Sequence, residues 1–115
     1  MLLNVEFKFC AAHRLPFYDG PCQRDHGHNY RFVVTLEGEP DAQSGMVMDF
    51  VEIERVVNEL VVDKVDHQHL NDFLENPTAE LIVKWFWELL KPPLPALSEL
   101  TLWEIDSCSV TYRGP

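Results

Sequence analysis

Two stretches of this chain alternate in polarity with period two, and histidines stand at their adjoining ends. From Val5 to His13 the odd positions Val5, Phe7, Phe9 and Ala11 are apolar and Glu6 and Lys8 fall between them, the signature of a half-buried strand. Continuing the alternation puts His13 on the apolar face. In the second stretch Tyr30, Phe32, Val34 and Leu36 share one face. Successive strand side chains point to opposite sides, so counting backwards puts His28 and His26 on that face as well. A chain so patterned must build a sheet with one buried side, and the inward sides of two neighbouring strands then carry three histidines.

Pro16, Asp19-Gly20 and Pro21 mark the turn between these strands, and Glu37-Gly38-Glu39-Pro40 to Ser44-Gly45 reads as a loop. Asp49 with Glu52 has the residues of a capping box, and Phe50, Ile53, Val57, Leu60 and Val61 recur at helical spacing behind it. A polar stretch, Asp63 to Asp72, follows. Asn76-Pro77 then reads as an N-cap residue with proline at the first helical position, opening a second helix whose buried stripe is Ile82, Trp85, Phe86, Leu89 and Leu90 and which Pro92-Pro93 stops. Leu100 to Ile105 and Cys108 to Tyr112 read as two further strands. The expected class is α+β in the order ββααββ, a four-stranded antiparallel sheet with two helices on one face. Trp103, Ile105, Val33 and Cys10 fall on or near the other face, so self-association is expected.

At 115 residues the chain, 1–115, is one domain with one core. Nine Lys and Arg against nineteen Asp and Glu leave a net charge of −10, which repels a phosphate backbone, so nucleic acid is not an expected partner. No apolar run is long enough to span a membrane and the start lacks a basic signal region, which points to a cytoplasmic protein. Cys10, Cys22 and Cys108 are odd in number and show no framework spacing, and read as free thiols.

A single inward histidine is most often a hydrogen-bonded core residue. His26 and His28, two apart on a strand, with His13 from the strand beside them, form a different pattern: three neutral imidazoles converging on a cation, as in a catalytic zinc site that keeps an open position. Gly27 between them leaves room for close backbone approach. Cys22 is the candidate fourth ligand, and if it bound, the site would be closed and structural. Alternatively, Cys22 in its Pro-bounded loop faces a substrate, where a thiolate beside a dication can act as base or nucleophile. Asp66-His67 is a second candidate pair, since a carboxylate fixes the tautomer of an imidazole and stabilises the imidazolium; such dipeptides also occur by chance. Glu104 shares strand parity with Leu100 and Leu102, so it either turns to solvent at the strand end or needs a partner on an apolar face.

In this order these residues resemble the 6-pyruvoyltetrahydropterin synthase and 6-carboxytetrahydropterin synthase family. The resemblance lies in Phe9-Cys10-Ala11-Ala12-His13-Arg14-Leu15, Cys22 ahead of His26-Gly27-His28-Asn29-Tyr30, Gly45-Met46-Val47-Met48-Asp49-Phe50, Asp66-His67-Gln68-His69-Leu70-Asn71, Asn76-Pro77-Thr78-Ala79-Glu80, and Glu104. Departures from the family pattern are Asp25, where an apolar residue is usual, Leu81 after Glu80, and Ile105 after Glu104.

The resemblance implies the tunnelling fold (T-fold), in which subunits join sheets edge to edge into an oligomeric barrel, commonly a hexamer built as a dimer of trimers with active sites at subunit interfaces. It implies that His13, His26 and His28 hold Zn2+, that Cys22 is the catalytic thiol, that Asp66 and His67 are a proton-relay pair supplied by a neighbouring subunit, and that Glu104 anchors the pterin ring. The implied substrate is a pterin triphosphate, 7,8-dihydroneopterin triphosphate, for which Arg14, Arg24, Lys8 and the zinc would supply positive potential. The short chain and the spacing of Cys22 and His26 are more like the bacterial branch that makes 6-carboxy-5,6,7,8-tetrahydropterin, with loss of acetaldehyde and triphosphate, for queuosine and other 7-deazapurines. The alternatives are a 6-pyruvoyltetrahydropterin synthase that eliminates triphosphate only, and a non-catalytic zinc-binding module closed by Cys22.

Overall fold

The computed structural model describes every residue, Met1–Pro115, and turns both alternating stretches into twelve-residue strands, β1 (Leu2–His13) and β2 (His26–Glu37). They pair antiparallel without interruption from Leu2↔Glu37 to His13↔His26. That register is what the alternation demands: Val5, Phe7, Phe9 and Ala11 of β1 and Tyr30, Phe32, Val34 and Leu36 of β2 are all buried on one side. β4 (Leu97–Ile105) pairs antiparallel with β2, and β5 (Cys108–Tyr112) pairs antiparallel with β4.

A fifth strand, β3 (Gln68–His69), makes the sheet order β3-β1-β2-β4-β5 and corrects the expected count of four. It runs parallel to β1 opposite Ala11 and Ala12. Two residues show no hydrophobic period, so the polar stretch that holds them reads as a loop.

α1 (Phe50–Val57) begins as expected at Asp49, whose carboxylate accepts the Val51 N–H at 2.9 Å. The capping box is not completed, because Glu52 turns to Arg55 at 2.6 Å instead. Beyond α1 the chain widens into a π-helical turn, Asn58–Val62, before α2 (Asp63–Val65). The wider turn keeps Val57, Val61 and Val65, four residues apart, facing the sheet.

The second long helix, α3 (Ala79–Leu90), is capped by Thr78 and not by Asn76-Pro77: the Thr78 hydroxyl accepts the Leu81 N–H at 3.2 Å. Pro77 stays outside the helix and its carbonyl accepts from His13. The buried stripe of α3 is Ile82, Val83, Phe86, Trp87 and Leu90, with Trp85 and Leu89 at its rim. The helices close over one face of the sheet, where Phe9, Phe32 and Phe86 meet edge-on or tilted. The other face is left uncovered within one chain and carries Cys10, Ile105 and the Arg31 guanidinium 3.8 Å above the Trp103 ring.

Candidate metal centre and active site

Where β1 and β2 run past the last core aromatics, the core face continues with imidazoles. His13 and His26 are direct cross-strand partners and His28 lies two residues on, so strand pairing alone brings the three rings together. Their ring centroids lie 4.5, 4.9 and 5.1 Å apart, and one ligand atom from each falls within 4.8 Å of the others. Gly27 is not required for this: a Cβ there would meet the Ala11 carbonyl at 3.5 Å, an ordinary contact.

The orientation of the rings fits a metal. His13 Nδ1–H donates to the Pro77 carbonyl at 2.8 Å, and His26 Nδ1–H donates to the Arg24 carbonyl at 2.7 Å. Both rings therefore present lone pairs at Nε2, and these two nitrogens lie 3.0 Å apart. Two acceptors at that distance repel unless a proton or a cation lies between them. A proton is disfavoured, because burial holds His13 below the usual histidine pKa. His28 Nε2 is buried with no hydrogen-bond partner; Glu104 Oε1 lies 3.3 Å away but outside hydrogen-bond alignment. Burial lowers the His28 pKa too, with the Glu104 carboxylate opposing. Three imidazoles, two of them oriented by backbone carbonyls, are a donor set for a transition metal.

Cys22 sits in a single 3-10 turn, Pro21–Gln23, and is half-buried. Its carbonyl accepts the Leu15 N–H at 2.9 Å, which anchors the turn to the chain just past His13. Its sulfur is not among the clustered ligand atoms, so the candidate ligand set is the three histidines and the thiol stands outside it.

Glu104 does not turn to solvent. The β4–β5 ladder shifts register between Trp103 and Ile105, and a bulge there re-aims the residue it leaves unpaired. The Glu104 side chain is 28% exposed and helps line a cleft of about 430 Å³ with Leu15, Thr78, Ala79 and Ser109.

Asp66 and His67 are built against the edge of β1, through the backbone of Cys10. The Cys10 N–H donates to Asp66 Oδ1 at 2.9 Å, His67 N–H donates to the Cys10 carbonyl at 2.6 Å, and His67 Nδ1 lies 3.0 Å from Asp66 Oδ1. The Cys10 amide is the main reason that the Asp66 carboxyl stays below the usual carboxylate range. His67 has φ 60°, the left-handed region, and its side chain is 78% exposed. Neither Asp66 nor His67 joins the clustered ligand atoms of the three histidines, although His67 and His28 line one open pocket with Cys10 and Asn29. Sequence reasoning missed the carbonyls of Pro77 and Arg24, since backbone acceptors leave no mark in a residue pattern. It also missed the bond between His69 and Asp25, 44 residues apart.

The sequence model of the family described as 6-pyruvoyl tetrahydropterin synthase matches residues 2–115, virtually the whole chain. The chain belongs to this family. Among relatives, it is 37% identical over 121 aligned residues to a 6-carboxy-5,6,7,8-tetrahydropterin synthase from Synechocystis sp., covering 99% of this chain and 94% of that protein. It is 38% identical over 99 residues to a dihydroneopterin monophosphate aldolase from Pyrococcus furiosus, covering 84% and 82%. Among solved structures, the 6-pyruvoyl tetrahydropterin synthase of Caenorhabditis elegans superposes with a TM-score of 0.90 at 32% identity, covering 100% of this chain and 96% of that one. The architecture of this tetrahydropterin synthase family member is the tunnelling fold that the resemblance implied.

Proposed function

We propose that this chain is a zinc-dependent lyase that converts 7,8-dihydroneopterin triphosphate and one water to 6-carboxy-5,6,7,8-tetrahydropterin, releasing acetaldehyde and triphosphate. The observation that carries this reading is the set of three imidazoles with a ring nitrogen from each within 4.8 Å of the others, while the buried Nε2 of His28 has no hydrogen-bond partner in the protein. The relative from Synechocystis sp., whose name is that of the carboxy enzyme, supports the choice of product. The product would enter queuosine and 7-deazapurine biosynthesis in the cytoplasm. The working form would be a homohexamer of two trimers with active sites at subunit interfaces.

His13, His26 and His28 would hold the zinc, and when bound it supplies Lewis acidity that lowers the pKa of hydroxyls on the substrate's side chain. The cleft beside Glu104 takes the pterin ring. Its carboxylate accepts the adjacent ring N–H and exocyclic amine together, a charge-assisted pair that fixes the ring's orientation. Cys22, outside the ligand set, is free to take the side-chain proton as thiolate. The Asp66 carboxylate, itself held by the Cys10 amide, fixes the His67 tautomer and stabilises its imidazolium, so that Nε2 can give and take a proton. With its side chain exposed and outside the histidine cluster, His67 would serve the site of a neighbouring subunit.

Incubation of the purified protein with 7,8-dihydroneopterin triphosphate tests the reading. Acetaldehyde and the 6-carboxy product are expected together. Triphosphate release without acetaldehyde would instead assign the 6-pyruvoyl outcome, and no turnover by metal-loaded protein would leave the zinc-binding module.

A further inference from the structure

We propose that Asp25 and His69 form a positioning pair that fixes the loop carrying Cys22 and His26 to the segment carrying Asp66 and His67. His69 Nδ1 accepts the Asn71 backbone N–H at 3.3 Å, which leaves the ring proton on Nε2. Nε2–H then donates to Asp25 Oδ1 at 3.0 Å. The bond thus runs in one direction and does not require a charged imidazole.

Its place gives it a role. Asp25 immediately precedes His26, and His26 Nδ1 is itself oriented by the carbonyl of Arg24. At the other end, residues 66–71 grip β1 at two points. Asp66 and His67 hold the backbone of Cys10, while the Asn71 side chain accepts from the Arg14 N–H at 2.9 Å and donates to the Arg14 carbonyl at 3.0 Å, next to His13. Residues 66–71 are therefore a strap along the edge of β1 at its end, and His69 extends it to the loop before β2. The Leu15 N–H to Cys22 carbonyl bond and the Gln23 side chain on the Pro16 carbonyl tie the first half of that loop to the chain after β1; the Asp25–His69 bond ties its second half, next to His26, to residues 66–71. The pair is partly solvated, with Asp25 69% exposed, so its contribution to global stability is small and its effect is local.

The inference rests on the reading of His13, His26 and His28 as metal ligands, and the test separates the two. Zinc affinity is measured by competition with a chromophoric chelator. His69→Ala and Asp25→Ala are each expected to weaken it about tenfold, and the double variant no further, because both remove one contact. His69→Gln and Asp25→Asn, which keep a donor and an acceptor at the same places, are expected to stay within a factor of about three of the parent. Unchanged affinity in the alanine variants, additive losses in the double variant, or equal losses in Asp25→Asn and Asp25→Ala would overturn the pair. Hydrogen exchange over residues 22–27 of the metal-free protein is the second measurement. Faster exchange in His69→Ala but not in His69→Gln supports the pair, and equal exchange in all three chains overturns it. A parent protein that binds no zinc would refute the metal reading, while the exchange result would still decide the pair.

Discussion

At the scale of single residues, the site is organised by what each polar atom lacks. His28 Nε2 has no partner and Glu104 lies beside it without bonding to it, so both are disposed toward something outside the chain. Glu104→Gln keeps the shape and removes the charge that a pterin's paired donors would meet. A rise in KM of about tenfold to a hundredfold, the loss of a charge-assisted hydrogen bond, is expected with zinc content unchanged; an unchanged KM would remove the anchor role. The buried imidazoles also make a pH prediction. Folding holds His13 and His28 below the ordinary value of 6.5, so the native state favours their neutral forms. The stability gained in this way is complete above that value and is lost as pH falls below it. Denaturant titrations of the metal-free protein from about pH 8 to about pH 5 should show stability declining across the lower half of that range. A flat profile would mean that these rings are not desolvated.

At the scale of elements, strand pairing and helix caps place the site. The sheet was legible in the sequence because a period of two over β1 and β2 leaves only one register that buries every aromatic, and that register makes His13 and His26 neighbours. The cluster was therefore readable before any coordinates. The strap was not, since β3 spans two residues and its hold on Asp25 and Arg14 depends on side chains distant in sequence. The start of α3 was misplaced by one signal overriding another. Asn76-Pro77 looks like a cap, but Pro77 is held back by His13 and Thr78 does the capping. Thr78→Ala should lower unfolding free energy by about 1 kcal/mol in denaturant melts, the usual loss for an N-cap. The strap carries strain as well: His67 adopts φ 60° without being glycine. His67→Gly should raise stability by about 1 kcal/mol while abolishing turnover, whereas a fall in stability would show that the imidazole contributes more than its backbone costs.

At the scale of the whole molecule, a small acidic domain gathers three candidate metal ligands at one end of its sheet and leaves the other face of that sheet open. Metal should therefore be coupled to folding, because ligands brought from two strands lock their ends together. Chelator-stripped protein is expected to melt at lower temperature and to recover on adding zinc, and an unchanged Tm would separate the cluster from stability. The division of labour between imidazoles and thiol is the claim on which the proposed chemistry stands, and zinc stoichiometry measured alongside turnover in Cys22→Ala and His28→Ala tests it most directly. The three-histidine site predicts that Cys22→Ala keeps its zinc and loses turnover while His28→Ala loses both; zinc lost from Cys22→Ala would contradict it.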